Sequence, residues 1–191
     1  MLWSVVSAPS LMTAEEFAEL PTPGDERLEL VRGMVIVAPP ADFGHGRRAM
    51  KIGNALESFA SRHALGLAGG EGGFRLARDP DTVRAPDAAW IAFDRLPGGE
   101  LPEGEYPEAA PNLAVEMVST HDREADIAQK VADWLAAGTE RVWVVRPRQR
   151  SVTVHRPNGD SRRYTASGTL SSDDAAFPVP GFALPVASIF S

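Results

Sequence analysis

Leu113-Ala-Val-Glu-Met-Val118 is an apolar run broken by a single carboxylate, and Arg141-Val-Trp-Val-Val145 is a second apolar run beyond a helical stretch at 121–137. Short runs rich in Val and aromatic residues read as buried strands. The stretch between them reads as a helix, with Asp122 placed to cap its start and Gly138 to follow its end. A strand–helix–strand crossover joins parallel strands, because antiparallel neighbours need only a tight turn. The expected class is α/β, or α+β with a mixed sheet, with helices packed against that sheet.

Upstream of this unit, Thr13-Ala-Glu-Glu16 fits a capping box opening a short helix that the Pro- and Gly-containing 21–24 stretch ends. Leu28–Val31 and Met34–Val37 form a hairpin pattern turned at Arg32-Gly33. From about Gly46 to His63, the residues Met50, Ile52, Leu56, Phe59 and Ala60 recur at helical spacing and predict a first long helix. Phe74–Ala77 and Asp87–Phe93 read as strands separated by the turn residues Asp79-Pro-Asp81, and 94–111 reads as an exposed loop. Downstream, Ser151–His155 and Arg163–Thr165 flank the hairpin signal Pro157-Asn-Gly-Asp160, and Val186–Phe190 predicts a short docking helix. Extra strands are thus expected at both ends of the chain.

At 191 residues and 20.5 kDa the chain suits a single domain over 1–191, with 1–10 as an N-terminal extension and 11–190 as the folded body. The absence of cysteine excludes disulfides, thiolate nucleophiles and iron–sulfur clusters. No apolar run approaches the ~20 residues that span a bilayer, and the opening residues lack the basic region of a secretory signal, so a soluble, cytoplasmic protein is expected. Nineteen Lys and Arg against 26 Asp and Glu give a net charge of −7, which supplies no global attraction to nucleic acid. The charge is uneven: residues 140–164 carry seven arginines against Glu140 and Asp160. Arginines on amphipathic strands and turns can simply face water.

Alternation along 113–118 places Ala114, Glu116 and Val118 on one face and Leu113, Val115 and Met117 on the other. A carboxylate in such a run must meet a cation, hydrogen-bond donors, a metal or a solvent cleft, since burying it unpartnered is very costly. Asp87, following Pro86 at a strand start, can stand beside it. Two neighbouring carboxylates repel, and a hard divalent cation such as Mg²⁺ or Mn²⁺ relieves that repulsion. The alternatives are that Asp87 caps a turn and Glu116 pairs with an arginine. Lys130, one of two lysines beside seventeen arginines, shares a helix face with Asp126 and Asp133. It either pairs with Asp126 on the surface or brings a compact ammonium to the carboxylate strand.

The blocks Leu28-Glu-Leu-Val-Arg-Gly33, His45-Gly46, Phe74-Arg-Leu76, Ala85-Pro-Asp-Ala-Ala-Trp90, Pro111-Asn-Leu-Ala-Val-Glu-Met-Val-Ser119, Asp126–Lys130, Ala136-Ala-Gly138 and Pro180-Gly-Phe182 together resemble the Uma family. That family consists of restriction-endonuclease-like proteins in the PD-(D/E)XK nuclease superfamily. The resemblance runs from about Leu11 to Phe190 and implies a restriction-endonuclease-like core, a central mixed sheet flanked by helices. It also implies an Mg²⁺- or Mn²⁺-dependent endonuclease acting on DNA, with Asp87 and Glu116 as metal ligands and Lys130 completing the catalytic set. His45 and Glu29 match accessory positions. The chain departs from the simple pattern at Val118, where a lysine is expected two residues after the acid; the resemblance moves that role to Lys130. Two further departures are Thr120-His121, where relatives carry Pro-Ser, and Arg146, where an aspartate is common.

By analogy with small nucleases of this superfamily, a homodimer is expected. His45 has an alternative as a helix cap, and which arginines contact nucleic acid is left open. Trp3, Trp90, Trp134 and Trp143 lie in apolar stretches and suit the core. Gly69-Gly-Glu-Gly-Gly73 lacks the phosphate-loop patterns and reads as a turn or bulge, and no G-x-S-x-G element supports a serine hydrolase. The competing functional readings are a catalytically inactive endonuclease-like fold serving as a self-associating or partner-binding module, and a hydrolase of small phosphate esters.

Overall fold

A computed structural model describes residues 11–21, 27–38, 40–104, 106–120 and 122–191. Trp3, His121 and the Thr22–Gly24 part of the first helix's stop signal lie outside the described residues. Thr13 caps α1 (Ala14–Ala18) with the reciprocal capping box that its sequence predicts. The hairpin β1 (Arg27–Val31) and β2 (Met34–Ala38) turns at Arg32 and Gly33, whose φ values of 50° and 75° are those of a type I′ turn. The long helix α2 (Phe43–Arg62) starts three residues before the sequence expectation, because the Asp42 side chain accepts the His45 N–H at 2.9 Å and caps it there.

Four strands follow: β3 (Gly66–Gly69), β4 (Phe74–Ala77), β5 (Thr82–Arg84) and β6 (Ala88–Ala92). The 93–112 connection contains two short 3₁₀ turns and, contrary to its reading as an exposed loop, buries Leu96 and Ala110. The decisive unit is then β7 (Leu113–Met117), α3 (Glu124–Ala136) and β8 (Arg141–Arg146). Helix α3 begins later than expected and has Arg123, not Asp122, at its N-cap position. Asp122 instead accepts the Ser119 N–H at 2.7 Å. Gly138, at φ 101°, closes the helix as predicted. The chain finishes with β9 (Ser151–His155), β10 (Ser161–Thr165), β11 (Thr169–Ser171), β12 (Ala183–Pro185) and α4 (Val186–Ile189).

The central sheet has the order β10-β9-β8-β7-β6-β3, with β7 and β8 parallel and the other neighbouring strands antiparallel. It is a mixed sheet flanked by helices. A second, antiparallel sheet of order β2-β1-β5-β4 lies beside it, and β11 pairs with β12. The parity of 113–118 holds: Leu113, Val115 and Met117 join Trp143, Val145 and residues of α2 and α4 in one core cluster. Ala114 faces Ile127, Val131 and Trp134 of α3 in another. Glu116 is on that second face, at the end where β7 finishes.

Candidate active site

Two strands set the carboxylates side by side. Ala88 of β6 lies opposite Val115 of β7, so Asp87 and Glu116, each one residue further along, share the α3 face of the sheet. Main-chain bonds lock this register: Asp87 donates its N–H to the Val115 carbonyl at 2.9 Å, and Asp87 Oδ2 accepts the Met117 N–H at 2.6 Å. The Gly69–Gly73 run is a turn pressed against this strand. A Cβ on Gly70 would stand 2.6 Å from the Asp87 carbonyl oxygen, so only glycine allows the approach.

Asp87 Oδ1 accepts from Arg27 Nη1 of β1 and contacts His45 Nε2 of α2, both at 2.8 Å. Glu116 Oε2 accepts from Lys130 Nζ of α3 at 3.1 Å, and its Oε1 accepts the Trp134 indole N–H at 2.8 Å. Lys130 also reaches Glu29 Oε1 of β1 at 3.3 Å, while Glu29 Oε2 accepts from Arg84 Nη1 of β5 at 2.8 Å. Arg84 continues the chain of charges to Asp133 Oδ2 on α3, with its Nε at 3.1 Å and Nη2 at 2.5 Å.

The structure therefore gathers Glu29, His45, Asp87, Glu116 and Lys130 into one cluster. Lys130 does not pair with Asp126, which is held by Arg123 at 2.7 Å, nor with Asp133, which belongs to Arg84. Three further members went unread: Arg27, Arg84 and Trp134. Arg27 shares the parity of Glu29 on one strand, and Trp134 is four residues after Lys130 on one helix face, so both spacings were available. Arg84 sits in a three-residue strand too short for alternation to register.

Burial is the leading influence on the carboxylates, and their neighbours push them apart. Burial raises Glu116 to a pKa of about 7; the charges of Asp87 and Glu29 add to the rise, while Lys130 and Trp134 oppose it. Burial acts on Asp87 in the same sense, but His45, Arg27 and the Met117 N–H outweigh it and hold Asp87 below the usual range. The hydrogen bond to Asp87 raises His45 against the effect of burial. Burial would lower Lys130, and the Glu116 and Glu29 carboxylates reverse it. The result is one ionised acid, Asp87, beside one acid poised to gain or lose a proton near neutrality.

The donor set fits a hard divalent cation. Asp87 Oδ1 already has two partners, but Asp87 Oδ2 and both Glu116 oxygens each have one, leaving a lone pair on each of these three oxygens. Two carboxylates with the remaining positions left to water and phosphate oxygens is the ligation that suits Mg²⁺. Among the described residues no group of three or more His, Asp or Glu forms a ready-made cage for a metal. The cluster is reached past its cations: Lys130 and Arg27 side chains are each 24% exposed, against 4% for Asp87 and Glu116.

A mixed sheet with flanking helices and two acids at the adjoining ends of β6 and β7 defines a restriction-endonuclease-like protein. The family Uma2, described as "Putative restriction endonuclease", matches residues 14–187, and the chain belongs to that family. The fold is also that of a solved protein from Anabaena variabilis ATCC 29413, described as "a putative nuclease belonging to DUF820". It is 20% identical, with a TM-score of 0.74 over 94% of this chain and 97% of that one. No curated protein matches the chain. Among the described residues, no helix is long and apolar enough to cross a membrane.

Proposed function

We propose that the protein is a metal-dependent endonuclease that hydrolyses DNA phosphodiester bonds, with residues 11–190 as its endonuclease-like domain. The observation that carries this reading is the juxtaposition of Asp87 and Glu116 with Lys130 Nζ 3.1 Å from Glu116. Asp87 and Glu116 would hold Mg²⁺ or Mn²⁺, which supplies polarisation of the scissile phosphate and a water of lowered pKa.

The chain's own residues supply the rest. Lys130, kept protonated by Glu116 and Glu29, offsets the negative charge that builds on the phosphate oxygens as water adds. Glu29 and Arg84 fix the direction of that ammonium, so its charge is oriented before substrate arrives. Arg27 and His45 keep Asp87 ionised and set its rotamer, and Trp134 fixes the position of the far oxygen of Glu116. A cytoplasmic location and a homodimer presenting two sites to two strands belong to the same reading.

The test is calorimetric titration with Mn²⁺ beside a plasmid-nicking assay. Micromolar binding and nicking in the wild type, both lost in Glu116→Ala and Asp87→Ala, are expected. Metal-dependent nicking that survives in Asp87→Ala, Glu116→Ala and Lys130→Ala alike would overturn the mechanism. One observation favours the rival reading of a non-catalytic module: Asp87 Oδ1 is already satisfied by Arg27 and His45 without any metal. That reading predicts a folded wild type that takes up no Mn²⁺.

A further inference from the structure

The second sheet ends on β2, and among the described residues no strand pairs with its outer side. Its five residues, Met34-Val-Ile-Val-Ala38, carry no charge and no proline, and their pairing with β1 runs without a bulge. Proteins ordinarily blunt a sheet edge with charge, brevity or a covering segment. The other three edges of the two larger sheets are blunted in those ways. Strand β10 carries Arg162 and Arg163, and β3 has four residues with a glycine at each end. The Arg75 N–H of β4 is taken by the Pro107 carbonyl at 3.1 Å. Strand β2 is the exception, with Met34, Ile36 and Val37 all exposed.

The hairpin decides which main-chain groups this edge offers. Its two-residue turn makes Val31 and Met34 a hydrogen-bonded pair, so alternation turns the N–H and C=O groups of Val35 and Val37 outward. Among the described residues no main-chain group meets them. The same parity sets Ile36 opposite Glu29 and Ala38 opposite Arg27, on the face that carries the carboxylate cluster. Val37 lies on the other face, opposite Leu28.

Exposed apolar residues continue past both ends of the strand. Leu11 sits on the turn, where a Cβ on Gly33 would stand 2.4 Å from Leu11 Cβ. Phe43, 88% exposed, belongs to the other end, because His45 and Arg27 share Asp87 Oδ1 and Arg27 is opposite Ala38. A two-fold rotation about Ile36 carries the turn end of each strand to the α2 end of the other. Leu11 then approaches Phe43 of the partner subunit, and the exposed Arg32 approaches Asp42 of the partner subunit, a charge of opposite sign. The edge thus complements itself, as an isologous contact requires. Side chains of this size and exposure offer on the order of 500 Å² per copy, so two copies cover about 1,000 Å², the lower bound for a stable interface.

We infer that a second copy of this chain covers β2: two copies pair antiparallel through this strand, with Ile36 on the two-fold axis. Two four-stranded sheets become one of eight. Only this register overlaps all five residues of both strands. It sets Val35 of each copy against Val37 of the other, so the outward N–H and C=O groups meet one another. An antiparallel join of this kind needs a two-fold axis perpendicular to the sheet, which leaves both carboxylate clusters on the same face. At ~4.8 Å per strand, the two Glu29 residues stand on the order of 15 Å apart. This gives the homodimer of the nuclease reading its surface, and it rests on that reading only for what the paired sites act on.

The test uses the absence of cysteine from the chain. In this register the two Ile36 Cα atoms form a close pair at about 4.5 Å, so Ile36→Cys is expected to give a covalent dimer on mild oxidation. The two copies of position 34 lie about 13 Å apart, so Met34→Cys is expected to give none. Sedimentation velocity reads the non-covalent state, and circular dichroism verifies the fold of each variant. Wild type and the control Leu101→Ser, which removes an exposed apolar residue of the 93–112 connection, are expected to be dimers at micromolar concentration. Val37→Pro removes an outward N–H without breaking a bond to β1, and is expected to raise the dimer dissociation constant about tenfold or more. A monomeric wild type, which leaves β2 to a strand of another protein, overturns the interface. An unchanged constant in Val37→Pro, or equal cross-linking of Ile36→Cys and Met34→Cys, overturns it too. If the dimer fails while nicking still needs metal and Glu116, the interface alone fails. If the dimer holds but no Mn²⁺ is taken up, the interface stands and the nuclease reading fails.

Discussion

Trp134 donates its indole N–H to Glu116 Oε1 at 2.8 Å, joining the middle of the α3 face to the one carboxylate in the β7 core. A tryptophan that reads as core filler is thus also a polar ligand of the site. Replacing it with phenylalanine keeps most of the packing against Phe74 but leaves a buried carboxylate oxygen without its donor. Trp134→Phe is expected to cost about 1–3 kcal/mol. Urea denaturation should show a lower midpoint at unchanged m.

Glu116 links stability to pH in a direction opposite to most acids. Its folded pKa of about 7 lies above the ordinary 4.5, so the folded state holds a proton that the unfolded state releases between those values. The stabilisation is complete below pH 4.5 and is lost as pH rises through 7, on the order of 3 kcal/mol for that shift. Glu116→Gln has no such proton to lose. In metal-free buffer, wild type should therefore lose stability relative to Glu116→Gln between pH 5 and pH 8. Parallel pH profiles for the two proteins would contradict the raised pKa.

Arg84 is 5% exposed and forks between Glu29 and Asp133. Arg84→Met takes the guanidinium from buried Glu29, which keeps only Lys130 and the Ala85 N–H, and from half-buried Asp133, which keeps only Gln129, and is expected to cost about 1–3 kcal/mol. Arg84→Lys restores the charge without the fork and should recover part of the stability while leaving Lys130 less well directed. Thermal unfolding of the two variants ranks them, with Lys between wild type and Met.

Asp174 does for the C-terminal strands what Asp87 does for the site. Its carboxylate accepts the Ser171 N–H at 3.0 Å, the Ser171 hydroxyl at 2.7 Å and the Tyr164 hydroxyl at 2.7 Å. Burial raises its pKa, but these bonds and Arg156 outweigh it and leave Asp174 lowered. The stabilisation is therefore present above the ordinary 3.8 and lost as pH falls through the lower folded value. Asp174→Asn should cost about 1–3 kcal/mol at pH 7 and progressively less in acid. Burial and the Asp174 hydrogen bond push the Tyr164 phenol up to about 12, so the variant's alkaline absorbance titration should show one tyrosine ionising at lower pH.

Legibility in the sequence tracks the length of the signal. The I′ hairpin at Arg32-Gly33, the Thr13 capping box and the Gly138 stop were readable because each rests on bonds between near neighbours, and the β7–α3–β8 unit because its apolar runs are long enough to show their period. The strands β5, β11 and β12 have three residues each, too few for alternation to show, and they exist because a partner strand satisfies their backbone. Asp122 reads as a cap by residue type, but its carboxylate accepts the Ser119 N–H and the helix starts one residue later, with Arg123 at the N-cap position.

The sequence by itself determined that a carboxylate must stand inside the 113–118 strand and which face it takes, since side chains alternate along any strand. It put Asp87 forward as a carboxylate able to stand beside Glu116, but spacing left Lys130 between Asp126 and the carboxylate strand, and the family resemblance alone assigned it to the site. Only the tertiary structure decided which cation meets which acid: Lys130 passes over Asp126 and Asp133 for Glu116 and Glu29, and Arg27 and His45 close on Asp87 from separate elements. Ion pairs between elements depend on distances that chain spacing does not encode. Burial strengthens the pairs that tertiary packing completes, whereas water screens those that the helix alone could form.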